Sequence, residues 1–126
     1  MKSLRVLIVD DDPLLRALTS RFLRDYENVQ IIGVAETGTA GLQMVKQHRP
    51  NVVILDIQLP DGGPQTIIEQ VRNLSPSTKV YLCSAYSDER VEATVKQVHA
   101  DGFVSKANLK NGLADMVHAE QAESSA

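Results

Sequence analysis

The amino-acid sequence predicts an α/β fold with a doubly wound parallel sheet and helices on both of its faces. Three observations lead to this fold class. Five short runs rich in Val, Ile and Leu have the length of buried strands. Amphipathic segments with apolar residues at helical spacing alternate with these runs. The connections are short and contain Asp, Gly or Pro, which favours right-handed βαβ crossovers and therefore parallel strands.

The first half of the chain begins with a predicted strand, Leu4–Val9, which ends at an acidic run. Asp12 and Pro13 are the residue types of a helix N-cap and a first helical position. This helix is predicted to reach residue 26, and four residues form its apolar face: Leu14, Leu15, Leu18 and Phe22. A second strand is predicted over residues 29–34. Thr37 is expected to cap a second helix, which ends near Pro50.

The second half begins with the central strand, whose apolar run 52–55 ends at Asp56. A loop containing glycine and proline separates it from a third helix, which ends before Pro76. A fourth strand at 79–83, a fourth helix, a very short strand at 103–104 and a last helix follow. We expect the polar tail, residues 120–126, to fray.

Five strands in this pattern most often take the flavodoxin-like order 2-1-3-4-5. The sequence therefore predicts one (α/β)5 domain over residues 1–126, with no internal repeat and no linker.

Composition narrows the function classes. The net charge of −3 and the lack of a basic stripe argue against direct contact between this domain and nucleic acid. The single cysteine, Cys83, cannot form an internal disulfide, and the apolar run near the N-terminus is too short for a signal peptide or a membrane span. We therefore expect a cytoplasmic protein without a membrane segment. His48, His99 and His118 are scattered on predicted helices, and we assign them no role.

Polar residues follow four of the predicted strands. Asp10 and Asp11 end the first strand, Asp56 the third and Ser84 the fourth, and Lys106 follows the fifth. The carboxyl ends of parallel strands share one edge of the sheet, with the first and third strands adjacent at the switch point. Each residue alone would be an ordinary turn, cap or surface residue. Together, three carboxylates would repel one another without a cation, and their hard oxygen atoms suit Mg²⁺ or Mn²⁺ beside a phosphate.

Four sequence phrases carry these residues: Val-Leu-Ile-Val-Asp-Asp at 6–11, Val-Val-Ile-Leu-Asp-Ile-Gln-Leu-Pro at 52–60, Leu-Cys-Ser-Ala at 82–85 and Gly-Phe-Val-Ser-Lys at 102–106. Their order, spacing and strand placement resemble the receiver domains of two-component response regulators. The resemblance extends from residue 6 to about residue 117. It is strongest to receivers that precede a helix-turn-helix DNA-binding domain.

The resemblance implies that Asp56 accepts a phosphoryl group from a histidine kinase or phosphotransfer protein. It also implies that Mg²⁺ is held by Asp10, Asp11, Asp56 and the backbone carbonyl of Gln58. Ser84 corresponds to the switching hydroxyl, Lys106 to the phosphate-pairing lysine and Phe103 to the switch aromatic. Gln58 and Tyr86 occupy the two positions that modulate dephosphorylation. One departure is Pro64, which stands where the family usually has a glycine, so the partner-docking surface is expected to differ.

Several alternatives remain open at this level. Apart from transferring a phosphoryl group to itself and losing it slowly, the domain is expected not to be an enzyme. A phosphatase with an Asp nucleophile would need a second carboxylate two residues after Asp56, where Gln58 stands, and a cap that the chain lacks. A pseudo-receiver would not need the intact set of acidic residues, serine and lysine. The sequence does not decide between a DNA-binding regulator and a single-domain regulator, or whether phosphorylation produces a homodimer.

Overall fold

The computed structural model describes residues 3–85 and 89–125, and the side chains only as far as residue 122. Strands and helices alternate along the chain in the predicted order, and a 3₁₀ turn, Lys106–Asn108, precedes the last helix. The elements are β1 (Leu4–Val9), α1 (Pro13–Arg24), β2 (Val29–Ala35), α2 (Gly38–His48), β3 (Val52–Asp56), α3 (Pro64–Leu74), β4 (Lys79–Ser84), α4 (Glu89–Val98), β5 (Gly102–Ser105) and α5 (Leu109–Ser125).

All five strands form one parallel sheet in the order β2-β1-β3-β4-β5, which confirms the predicted topology. β3 is the middle strand, and all five of its residues are buried. This explains its unbroken apolar sequence, because both faces of a central parallel strand are covered by helices. The register places Asp56 opposite Cys83 on β4, and Ser84 opposite Ser105 on β5.

Side chains alternate across the sheet and divide the core into two layers. On one face, Val6, Ile8 and Ile54 pack in a cluster with α1 and α5. On the other face, Leu7, Val9 and other strand residues pack in a cluster with α2, α3 and α4. Among the described residues, no helix is both long enough and apolar enough to cross a membrane.

The start of α1 is as predicted, whereas only half of the predicted apolar face packs against the core. The Asp12 side chain accepts a 2.9 Å hydrogen bond from the Leu14 backbone N–H, and Pro13 opens the helix. Leu14 and Leu18, however, are 63% and 36% exposed. Leu15 and Phe22 do pack against the core, as predicted, and Thr19 and Leu23 take the buried places expected for the other two leucines. The three- and four-residue spacing of apolar side chains in α1 is compatible with two overlapping buried faces. Packing of the helix on β1 and β2 buries the face that leaves Leu14 and Leu18 exposed.

Fraying is predicted from Glu120, but in the described residues this segment begins as part of α5. α5 continues to Ser125, and Glu120 is buried with 8% exposure. Its carboxylate accepts a hydrogen bond from the Tyr81 hydroxyl, with an oxygen–oxygen distance of 2.6 Å. This contact between α5 and β4 holds a polar segment that composition alone would leave in solvent.

Candidate functional site at the carboxyl edge of the sheet

The five polar residues singled out in the sequence lie at the carboxyl ends of the strands. Asp56 and Ser84 are the last residues of β3 and β4. Asp10 and Asp11 directly follow β1, and Lys106 directly follows β5. The parallel topology therefore brings together residues separated by up to 96 positions in the chain, as predicted.

Asp10, Asp11 and Asp56 form one acidic cluster, in which one oxygen atom of each carboxylate lies within 4.8 Å of the others. Asp10 and Asp56 are buried, whereas Asp11 is exposed to solvent. Such an arrangement fits a small divalent cation, since Mg²⁺ and Mn²⁺ prefer oxygen ligands and retain water on the open side. The donor set of the site is therefore consistent with the predicted metal.

Lys106 is the cation that faces this cluster. Its Nζ lies 3.2 Å from Oδ1 of Asp56 and 3.3 Å from Oδ2 of Asp10, and its side chain is 18% exposed. Burial by itself would lower the pKa of Lys106, but the charges of Asp56 and Asp10 outweigh it and raise the pKa. The lysine thus stays charged and partly neutralises two buried carboxylates.

The pKa of Asp56 is raised, chiefly by burial and further by the charge of Asp10. A 3.1 Å hydrogen bond from the Gln58 backbone N–H and the charge of Lys106 act in the opposite direction. Burial also raises the pKa of the neighbouring Cys83 thiol to about 12, so this thiol is neutral at physiological pH. The site therefore holds a buried carboxylate whose charge is only partly compensated.

Backbone contacts fix Asp10 in place. The Asp12 N–H donates to Oδ1 of Asp10 over 2.9 Å, and Nη1 of Arg16 donates to the Asp10 carbonyl over 2.8 Å. Arg16 did not emerge from the sequence analysis. Its position one turn into α1 beside the acidic run is the only sequence signal that could have indicated it.

A cavity of about 320 Å³ opens beside the phosphoacceptor candidate. It is lined by Asp56, Ser84 and Lys106, together with Arg90 and Thr94 of α4. Neither Arg90 nor Thr94 is among the site residues that the sequence predicts. A positively charged side chain in the lining of an acidic site favours anionic ligands that the aspartates would otherwise repel.

The other residues that the sequence analysis singled out lie in the loop after β3, on β5, at the start of α3 or outside the described part of the chain. Gln58 is exposed in the loop after β3, and Phe103 is half-buried on β5. Pro64 forms the first residue of α3, so the departure from the family pattern provides a proline at a favourable helical position. Tyr86 lies outside the described residues, and its role in dephosphorylation stays a prediction.

Comparison with known proteins identifies the relatives of this site. The sequence model of the response regulator receiver domain matches residues 6–118. Response regulator GacA of Pseudomonas viridiflava is 30% identical over 116 residues, which make up 92% of this chain and 53% of GacA. The signal receiver domain of NarL from Mycobacterium tuberculosis is 28% identical, with a TM-score of 0.77 over 92% of this chain and 97% of that domain.

A structure of RcsB from Salmonella typhimurium shares the fold, with a TM-score of 0.88 at 23% identity, over 98% of this chain and 62% of the RcsB chain. The chain spans about half the length of the curated relatives it matches, 46% of DctR from Priestia megaterium and 53% of GacA. Since the family match extends from within β1 into α5 and includes the acidic cluster, this chain belongs to the response regulator receiver domain family of two-component systems.

Proposed function

We propose that this domain accepts a phosphoryl group on Asp56 from a histidine kinase or phosphotransfer protein. The observation that carries the proposal is the position of Lys106, whose ammonium lies between the Asp56 and Asp10 carboxylates. Three strand ends contribute to this contact, and it supplies a positive charge beside the one carboxylate that ends the central strand. Asp56 also borders the cavity through which a phosphodonor would enter.

The chemistry is an in-line displacement at phosphorus. A carboxylate oxygen of Asp56 forms a new bond to phosphorus while the bond between phosphorus and the donor histidine nitrogen breaks, and its electron pair returns to the imidazole. Charge is spread over the three equatorial oxygens in the transition state, so positioning and cationic groups provide most of the catalysis. Lys106 supplies one such charge. Ser84, buried at the end of β4, offers a hydroxyl to another oxygen of the product.

The metal proposed for this site is Mg²⁺ or Mn²⁺, held by Asp10, Asp11, Asp56 and the backbone carbonyl of Gln58. When bound, it would neutralise phosphoryl charge that one lysine cannot balance alone. The clustered carboxylate oxygens support the three aspartates of this ligand set, and the Gln58 carbonyl is carried over from the resemblance.

Phosphorylation is then proposed to switch the surface formed by α4, β5 and α5. Attraction of Ser84 and Lys106 to the phosphate would favour one of two packings of this region. Phe103, half-buried on β5, would act as the switch aromatic through packing alone, because it has no hydroxyl. Gln58 and Tyr86 are proposed to govern how long the phosphate persists.

Labelling with acetyl phosphate and Mg²⁺, followed by intact-mass spectrometry, tests the assignment. The wild-type domain should gain one phosphoryl group, and Asp56→Asn should gain none. Asp115→Asn, an exposed aspartate of α5, is the matched control and should label like the wild type. Undiminished labelling of Asp56→Asn would refute the assignment.

We further propose that the domain works in the cytoplasm as the N-terminal part of a DNA-binding transcriptional regulator, with phosphorylation promoting a homodimer. The coverage of only about half of DctR and GacA supports this context. The receiver itself would contact no DNA, in keeping with its net charge of −3. A stand-alone regulator that acts through protein contacts is the alternative. Sequencing the gene beyond codon 126 distinguishes the two, since a reading frame that stops there would contradict the first.

A further inference from the structure

Asp61, in the loop between β3 and α3, is bonded to the N-terminus of another helix. Its Oδ1 accepts a hydrogen bond from the Gly38 backbone N–H over 2.8 Å. Its Oδ2 accepts from both the backbone N–H and the hydroxyl of Thr39, over 2.9 and 2.8 Å. These bonds join residues 22 and 23 positions apart. They hold the carboxylate as a charged acceptor and lower the pKa of Asp61, with the Thr39 N–H the largest cause.

The N-terminus of α2 is capped by two residues, which accept hydrogen bonds from different backbone N–H groups. Thr37, the local N-cap, accepts from the Ala40 N–H over 3.1 Å. Asp61 takes the first two N–H groups of the helix, which a local cap leaves without acceptors. A Cβ at Gly38 would approach Cδ1 of Ile67 to 2.7 Å and Oδ1 of Asp61 to 3.2 Å. The glycine therefore allows the close approach on which this contact depends.

The loop held by Asp61 is the one that leaves the phosphoacceptor. It begins with the Gln58 N–H bonded to Oδ1 of Asp56 and is closed by an antiparallel bridge between Leu59 and Gly62. Gly62 has φ of 155°, a conformation that side chains disfavour. The loop is therefore short and internally closed, with Asp56 at one end and the anchor on α2 near the other.

We propose that Asp61 is a positioning residue for phosphotransfer, which fixes the loop to α2 so that the Gln58 backbone keeps its place beside Asp56. This inference rests on the proposed role of Asp56. A mere helix cap would affect only the stability of α2. A positioning residue would also affect metal affinity and the labelling rate, since both depend on the Gln58 backbone.

The two caps of α2 provide a matched experiment. Asp61→Ala releases the loop, whereas Thr37→Ala removes a bond of the same kind from the same helix end and leaves the loop anchored. Both variants should lower the melting temperature. Only Asp61→Ala should weaken Mg²⁺ binding in calorimetry, and slow labelling by acetyl phosphate, on the order of tenfold. Asp61→Asn, which keeps one acceptor oxygen, should fall between Asp61→Ala and the wild type and serves if the alanine variant does not fold.

The outcomes separate the two proposals. The positioning role is refuted if the Asp61 variants bind Mg²⁺ and are labelled as the wild type is. It is also refuted if Thr37→Ala loses as much Mg²⁺ affinity and labelling rate as Asp61→Ala does. If the wild type itself does not label while its Mg²⁺ binding is intact, the proposed function fails instead. In that case a selective loss of Mg²⁺ affinity in Asp61→Ala still supports the anchoring of the loop.

Discussion

The hydroxyl of Tyr81 on β4 donates a 2.6 Å hydrogen bond to Oε2 of Glu120 on α5, and both side chains are buried. The ring of Tyr81 lies so close to β5 that a Cβ at Gly102 would come within 2.6 Å of Cε2. Because α5 belongs to the surface that we propose to switch, this contact ties one element of that surface to β4, the strand beside β5.

Replacing Tyr81 with phenylalanine should therefore destabilise the domain. Loss of a buried hydrogen bond to a carboxylate is expected to lower the free energy of unfolding by about 1–3 kcal/mol, measured by urea denaturation. Combining Tyr81→Phe with Glu120→Ala, which removes the acceptor, in a double-mutant cycle isolates the pair. Tyr26→Phe is the control, because in the described part of the chain no hydrogen bond involves its hydroxyl. Equal stability of the Tyr81 and Tyr26 variants would contradict the expectation.

Asp11→Ala should bind Mg²⁺ at least on the order of tenfold more weakly in calorimetry, because the open side of the acidic cluster loses a ligand. The same change should raise the melting temperature in the absence of metal, since it removes repulsion among clustered carboxylates. Asp115→Ala changes the net charge equally and should alter neither quantity. A lower melting temperature for metal-free Asp11→Ala would count against repulsion in the cluster.

Lys106→Met should lower the free energy of unfolding at neutral pH by about 1–3 kcal/mol, because it leaves two buried carboxylates without their cation. The raised pKa of Lys106 sets the sign of the pH dependence. Its stabilising effect is fully present below the ordinary pKa of 10.5 and is lost as pH rises through the folded-state pKa. Urea titrations should thus show a difference that shrinks in alkali. Lys110→Met, an exposed change on α5, should show no such difference.

Asp61→Asn should show the opposite pH dependence. The pKa of Asp61 is lowered by the Thr39 and Gly38 N–H groups, so its contribution is present above the ordinary pKa of 3.8. That contribution is lost as pH falls through the folded-state pKa. Thermal melts should therefore separate wild type and Asp61→Asn at neutral pH and converge in acid. A gap that stays constant down to acid pH would mean that the ionised carboxylate is not the stabilising form.

The sequence was sufficient for the fold and for the convergence of Asp10, Asp56 and Lys106, because both follow from strand periodicity and parallel topology. It was insufficient to predict which helix residues are buried, because this depends on how the helices pack on the sheet. Helical spacing in α1 was equally compatible with an inward Leu14 or an inward Thr19, and only the sheet below selects between them. Glu120 was assigned to solvent because a carboxylate usually lies there, and its partner is 39 residues away.

Arg90 and Asp61 were overlooked for a related reason. Arg90 reaches the cavity by the placement of α4, and Asp61 reaches α2 by the path of a loop. The spacing of apolar residues in the sequence predicts neither of these two placements. The contact between Asp61 and the N-terminus of α2 can be recognised only from the three-dimensional structure.

The contact of Lys106 with Asp56 and Asp10 can form only when the strands that lead to these residues are assembled in the sheet. The ammonium and the Asp56 carboxylate are 50 residues apart, and their strands are separated in the sheet by β4. Forming a contact of such long range requires the entropy of closing a large loop to be overcome. A partly folded chain would carry the aspartate without its cation. Under the proposed function, a chain in which β5 has not docked should therefore not be phosphorylated on Asp56.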